Sequence, residues 1–105
     1  MLIWVSMKYV IYYRVSTEKQ DKSGLGLEAQ QQQVKTYLQS KPDAVVIAEY
    51  VEVDSGKKVN RIELNKAVAD AKKNKAVLLV AKLDRVARNV KLFLDLLDQV
   101  RIEFT

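Results

Sequence analysis

The feature that most restricts the fold of this chain is an uninterrupted apolar run at residues 76–81, AVLLVA. A strand with one face in water alternates apolar and polar side chains, so a run without alternation is typical of a central parallel strand covered on both faces. Parallel strands need crossover connections, and these are usually helices. The run therefore predicts an α/β domain with helices on both sides of its sheet.

The segments around this run supply further strands and helices in alternation. Their β-branched and aromatic content predicts strands at residues 9–13, 44–53, 76–81 and 101–105. Apolar spacing predicts one helix from Leu27, which Pro42 ends, and two more that follow the capping residues Asn60 and Asn89. We therefore predict a three-layer α/β/α domain with a mainly parallel sheet of about four strands in the order 2-1-3-4.

The composition removes several kinds of chemistry. The 105 residues include no cysteine and no histidine. This excludes a disulfide framework, a thiolate metal site and a Ser-His-Asp triad. Lysine and arginine number 18 against 13 acidic residues, a formal charge of +5. Such an excess suits a partner that carries phosphate, nucleic acid among them.

The amino-terminal residues are apolar but few. Residues 1–7, MLIWVSM, are too short a stretch for a signal peptide or a membrane span. We expect them to be an N-terminal extension, with residues 8–105 forming one domain. The expected location is cytoplasmic.

Two polar clusters follow strands of the predicted sheet. RVST at residues 14–17 follows the first strand, and KLDRVAR at residues 82–88 follows the third. In open α/β sheets, functional groups gather beyond the carboxyl ends of the strands. With the strand order 2-1-3-4 the first and third strands are neighbours, so both clusters face one crevice. This crevice is predicted to bring together Ser16, Arg14, Asp84, Arg85 and Arg88.

These residue types suit chemistry on a phosphate. Guanidinium groups bind phosphate oxygens in a planar fork and stabilise the charge that develops during attack. A serine in that field is suited to act as a nucleophile on a phosphodiester. Without histidine, proton transfer has to involve Asp84, an arginine or water. Taken singly, Ser16 fits an ordinary turn and the arginines fit a solvated surface. The hypothesis of chemistry on a phosphodiester therefore rests on their occurring together.

Four motifs in order resemble the serine recombinases of the resolvase/invertase family. They are YRVST at 13–17, GLGLEAQ at 24–30, SG at 55–56 with NRIEL at 60–64, and AKLDRVARN at 81–89. The resemblance runs from about Lys8 to the end of the chain, and it indicates the N-terminal catalytic domain of that family.

The resemblance implies a role for each matched residue. Ser16 would attack a DNA phosphodiester, form a 5′-phosphoserine link and leave a free 3′ hydroxyl. Asp84 would position the arginines or protonate the leaving oxygen, and Gln30 matches the family's active-site glutamine. The arginines that would hold the scissile phosphate are Arg14, Arg61, Arg85 and Arg88. No metal or cofactor is implied.

The resemblance also implies what a complete member would add. The family's domain continues with an antiparallel strand and a long helix, followed by a DNA-binding region, and all of these are missing from the 105 residues. We therefore expect a truncated catalytic domain that is not competent for recombination alone. The expected partners, double-stranded DNA and further copies in a homodimer or tetramer, belong to the full-length protein.

Two other readings remain open from the sequence. One is a catalytically silent remnant that acts by pairing with a full-length recombinase. The other is a flavodoxin-like or receiver-like module that binds a phosphate ligand or accepts a phosphoryl group. Receivers need clustered acids to hold a metal ion, whereas the predicted crevice is basic.

Overall fold

The computed structural model describes residues 7–16, 26–54, 62–81, 95 and 98–105. Its elements are β1 (Met7–Ser16), α1 (Leu27–Gln39), β2 (Ala44–Asp54), α2 (Ile62–Asn74), β3 (Val77–Val80) and β4 (Ile102–Phe104). These strands form one sheet in the order β2-β1-β3-β4, and every pairing is parallel. The predicted strand order is confirmed, whereas the predicted helix after Asn89 lies largely outside the described residues.

β1 is a central strand with unequal neighbours. It pairs with β2 along its whole length, from Met7 opposite Ala44 to Ser16 opposite Asp54. Its pairing with β3 ends earlier, at Tyr12 opposite Val80. β1 extends beyond the predicted residues 9–13 because β2 continues to pair with it at both ends. The last four residues of β1 therefore run past the end of β3.

The two helices cover opposite faces of the sheet. On one face, α2 packs against alternate residues of β1 and β3, and the buried side chains include Val10, Tyr12, Leu64, Leu78 and Val80. On the other face, α1 packs against the residues between them, with Tyr9, Ile11, Tyr13, Val34 and Leu79 buried. All six residues of the apolar run at 76–81 are buried. The three-layer prediction is confirmed.

The ends of the helices follow local chemistry. α1 begins after Gly26, whose carbonyl oxygen accepts the N–H of Gln30 at 3.0 Å. α2 ends at Asn74, and Lys75 then adopts the left-handed conformation with φ of 54°. The N–H of Ala76 donates to the carbonyl oxygen of Ala71 at 2.8 Å, which closes the helix in a Schellman-type turn.

The edge strand β4 is fastened by one acidic side chain. Glu103 Oε1 accepts hydrogen bonds from the hydroxyls of Tyr9 on β1, at 3.0 Å, and Tyr37 on α1, at 2.7 Å. Arg101 lies 3.5 Å from the other carboxylate oxygen. Burial opposes ionisation of Glu103, but the hydrogen bonds from the two tyrosines outweigh it and lower the pKa of Glu103 below 4.5.

Within the described ranges, no helix has the length and apolarity needed to cross a bilayer.

Candidate active site

The carboxyl ends of the strands bring the first predicted cluster to one edge of the sheet. β1 ends at Ser16 and β2 at Asp54, and these two residues are paired in the register. β3 ends at Val80, and it runs parallel to β1. Ala81, which precedes the second predicted cluster, therefore leaves the sheet at the same edge as Ser16. The strand order that the crevice required is present.

Several predicted site residues lie outside what the structure describes. They are Arg61, Asp84, Arg85 and Arg88, and the side chain of Ser16 is also not described. The roles assigned to them stay predictions. The described part of the site consists of the end of β1, Arg14, Gln30 and the groups bonded to them.

The main chain of Arg14 is held by the side chain of Gln30. The N–H of Arg14 donates to Gln30 Oε1 at 3.2 Å, and Gln30 Nε2 donates to the carbonyl oxygen of Arg14 at 2.8 Å. Arg14 lies two residues beyond Tyr12, where the pairing with β3 ends. The amide of Gln30, only 1% exposed, thus serves the main chain much as a neighbouring strand would. This geometry favours a positioning role for Gln30.

The guanidinium of Arg14 is held from the other layer. Its Nη1 donates to the hydroxyl oxygen of Tyr12 at 3.1 Å, and that hydroxyl donates to Glu52 Oε1 at 3.0 Å. Tyr12 and Glu52 are both fully buried. Arg14 is therefore held through its main chain by Gln30 of α1 and through its side chain by Tyr12 of β1, which is itself bonded to Glu52 of β2.

The carboxylate of Glu52 also caps α2. Glu52 Oε2 accepts the N–H of Glu63 at 3.1 Å, and Oε1 accepts the N–H of Leu64 at 3.0 Å. First-turn N–H groups have no partner within the helix, and a negative charge near them is favourable. The sequence predicted Asn60 as the cap, and Asn60 lies outside the described residues. The capping acid that the structure describes comes from a neighbouring strand.

Sequence reasoning missed Glu52. The available signal was an acidic residue between Val51 and Val53, near the carboxyl end of a strand. An acid in that position is usually solvated, and only the hydrogen bonds of Glu52 to Tyr12 and to the start of α2 show that this one is buried.

The protonation state of Tyr12 fixes the direction of its hydrogen bonds to Glu52 and Arg14. Burial raises the pKa of the Tyr12 hydroxyl, and the opposing hydrogen bond from Arg14 is not enough to cancel this effect. Tyr12 therefore keeps its proton at working pH. It donates that proton to Glu52 and accepts from Arg14, so the three side chains form one directed chain.

The described part of the site has a cation at the carboxyl edge of the sheet. Arg14 brings a fixed cation to the edge where β1 ends. Among the described residues, no group of three or more histidine, cysteine or acidic side chains is arranged to hold a metal.

The comparisons with known proteins place the chain in a family. The model described as "Resolvase, N terminal domain" matches residues 9–103. The catalytic domain of ISC1926 TnpA, an IS607-like serine recombinase, is 27% identical with a TM-score of 0.70, and the alignment covers 93% of this chain and 69% of that one. A resolvase family site-specific recombinase from Streptococcus pneumoniae is 32% identical with a TM-score of 0.69, covering 93% and 70%. No curated protein matches the chain.

The chain therefore belongs to the resolvase N-terminal domain family. The predicted family and fold class are confirmed, and the findings support the catalytic domain of a site-specific recombinase. The alignments leave about 30% of each solved chain without a counterpart here.

Proposed function

We propose that this domain cleaves and rejoins DNA phosphodiesters with Ser16 as the nucleophile, through a covalent 5′-phosphoserine intermediate. The observation that carries the proposal is the placement of Ser16 at the end of β1, two residues after an arginine that is held by Gln30 of α1 and Tyr12 of β1. A nucleophile next to a fixed cation is the arrangement that phosphoryl transfer needs.

The proposed cleavage exchanges one ester for another. Ser16 Oγ forms a bond to phosphorus, the bond from phosphorus to the 3′ oxygen breaks, and the hydroxyl proton of Ser16 passes to water or a nearby basic group. The 3′ oxygen leaves with a proton from Asp84, an arginine or water. Rejoining is the reverse reaction with a 3′ hydroxyl as the attacking group. The number of ester bonds is unchanged, so no ATP is required.

The arginines supply most of the proposed rate enhancement. Arg14, Arg61, Arg85 and Arg88 would bind the scissile phosphate and stabilise the negative charge of the phosphorane-like transition state. Each 1.36 kcal/mol of stabilisation present only in the transition state raises the rate about tenfold. No metal or cofactor enters this proposal.

The remaining assignments belong to the same proposal. Residues 8–105 form the catalytic domain and residues 1–7 an extension. Double-stranded DNA is the substrate, and the full-length protein works as a dimer or tetramer in the cytoplasm. The +5 charge supports a DNA partner.

A covalent trap tests the proposal. The full chain is extended past Thr105 with a family-type helix and a DNA-binding domain of known specificity, then given a DNA site with a nick beside the cleavage position. Protein that stays attached to DNA on a denaturing gel, and that is absent with Ser16→Ala, supports the nucleophile. A folded fusion that occupies its site without attaching contradicts it and favours the silent, pairing remnant.

A further inference from the structure

The fully buried carboxylate of Glu52 has no part in the proposed chemistry, yet it joins three elements of the fold. It lies on β2, bonds Tyr12 on β1, and bonds two N–H groups of α2. Burying a carboxylate without compensation is costly, and this one is compensated by three hydrogen bonds.

We propose that Glu52 is a positioning residue that sets the orientation of the Arg14 guanidinium through the hydroxyl of Tyr12. The inference rests on the proposed function only for its effect on rate, since the positioning itself is a property of the folded chain.

Polarisation within the chain of hydrogen bonds supports this role. The carboxylate of Glu52 accepts a hydrogen bond from the hydroxyl of Tyr12. This bond polarises the hydroxyl, so its oxygen becomes a better acceptor for Arg14 Nη1. Glu52 is in turn kept in place by the N–H groups of Glu63 and Leu64. The start of α2 thereby acts as the fixed point for the orientation of Arg14.

The chain offers a matched control in the next residue. Tyr13 donates to Glu49 at 3.0 Å, the same kind and length of bond as that of Tyr12 to Glu52. Tyr13 belongs to the α1 face of the sheet, and its bond is to an exposed acid. Tyr13→Phe thus removes an equivalent hydroxyl that is outside the chain of bonds leading to Arg14.

The first measurement does not depend on activity. In the full chain with isotope-labelled arginine, NMR follows rotation about the Cζ–Nη bonds of Arg14. We expect this rotation to become faster in Tyr12→Phe and in Glu52→Gln and to stay as in the parent in Tyr13→Phe. Unchanged Arg14 signals in both test variants, with the variants folded, would overturn the proposal. Tyr12→Phe keeps the ring and the cap on α2, so it decides the matter even where Glu52→Gln does not fold.

The second measurement tests the consequence for rate. In the fusion with a DNA-binding domain, single-turnover attachment is followed against DNA concentration. We expect Tyr12→Phe to lower the maximal rate about tenfold, with little change in the DNA concentration for half-maximal rate, because Arg14 acts in the transition state. The effects of Tyr12→Phe and Glu52→Gln should be non-additive, since both break one chain of bonds.

The outcomes separate the two proposals. Additive effects, or a maximal rate unchanged by Tyr12→Phe, would mean that Glu52 serves only to cap α2, and the positioning role would fall. A parent that never attaches to DNA contradicts the proposed function alone, because the NMR measurement still decides whether Glu52 and Tyr12 orient Arg14.

Discussion

Two buried polar side chains join the elements that form the described part of the site. Gln30 and Glu52 are the two buried polar residues among those described, and each bonds to the main chain of another element. A buried polar group left without its partner costs about 1–3 kcal/mol. Substitutions of Gln30 or Glu52 are therefore expected to lower the stability of the fold and to change the geometry of the site around Arg14.

Gln30→Ala is predicted to lower the free energy of unfolding by about 2–4 kcal/mol, because the N–H and carbonyl of Arg14 both lose a partner and a small cavity is left. Urea unfolding followed by circular dichroism measures this change. The control is Gln32→Ala on the same helix, where the side chain is exposed and the expected change is within about 0.5 kcal/mol. Equal losses in the two variants would contradict a bridging role for Gln30.

The Glu103 cluster predicts how stability depends on pH. The pKa of Glu103 is lowered in the fold, so its ionised form contributes stability above pH 4.5 that is lost as the pH falls through the folded pKa. Glu103→Gln should therefore be less stable than the parent near neutral pH, and the difference should shrink below pH 4.5. Unfolding at a series of pH values checks this, with Asp43→Asn, on an exposed turn, as the control.

The two tyrosines that bond Glu103, Tyr9 and Tyr37, predict how stability is lost at high pH. Burial first, and then the hydrogen bond to Glu103, raise the pKa of Tyr9 and that of Tyr37 to about 12. Their protonated forms contribute stability that is complete below pH 10 and is lost as the pH rises through about 12. Tyr37→Phe should make this loss smaller, and an unchanged alkaline slope would contradict the assignment.

At the scale of elements, the sequence patterns predicted the helices and strands that the structure describes. The apolar run at 76–81, the valine-rich second strand and the stripe of α2 each carry a local signal that outweighs their surroundings. The length of β1 was underestimated, because Arg14 and Val15 are strand residues only through pairing with β2.

The contacts between elements were harder to predict, for a physical reason. The bonds of Gln30 to Arg14 and of Glu52 to Leu64 join residues 16 and 12 positions apart. They depend on the strand register and on where each helix begins, and neither is encoded in local periodicity. The resemblance identified Gln30 as a site residue, but its bond to the main chain of Arg14 appears only in three dimensions.

The end of α2 gives a prediction at this scale. Lys75 has φ of 54°, a conformation that costs a residue with a Cβ about 1 kcal/mol and costs glycine little. Lys75→Gly is therefore expected to stabilise the domain by about 0.5–1 kcal/mol in thermal or urea unfolding. Lys72→Gly, within the helix, should destabilise by about 1 kcal/mol. If Lys75→Gly destabilises as Lys72→Gly does, the C-terminal turn is not as described.

At the scale of the whole molecule, the parallel strands give the sheet a carboxyl edge and an amino edge. Ser16 and Arg14 lie at the carboxyl edge, whereas Lys75 precedes β3 at the amino edge. The proposed function requires DNA at the carboxyl edge. Removing a charge from one edge or the other should therefore have different effects on DNA binding.

The salt dependence of DNA binding tests this polarity. Binding of the chain to duplex DNA should weaken as salt rises, with a slope of log affinity against log salt of about −2 to −4 for two to four phosphate contacts. Arg85→Gln should reduce the slope by about one, and Lys75→Gln should leave it unchanged. Fluorescence anisotropy at several salt concentrations gives the slopes. Equal changes in the two variants would indicate a diffuse attraction without a preferred edge.

The most direct test of the central claim is the identity of the protein–DNA bond. Protein attached to a nicked site is digested with protease and nuclease, and the linked peptide is sequenced by mass spectrometry. The account predicts a nucleotide joined by its 5′ phosphate to Ser16, and a free 3′ hydroxyl on the other DNA end. A link through Tyr12 or Tyr13, or a 3′ phosphate bonded to protein, would contradict it.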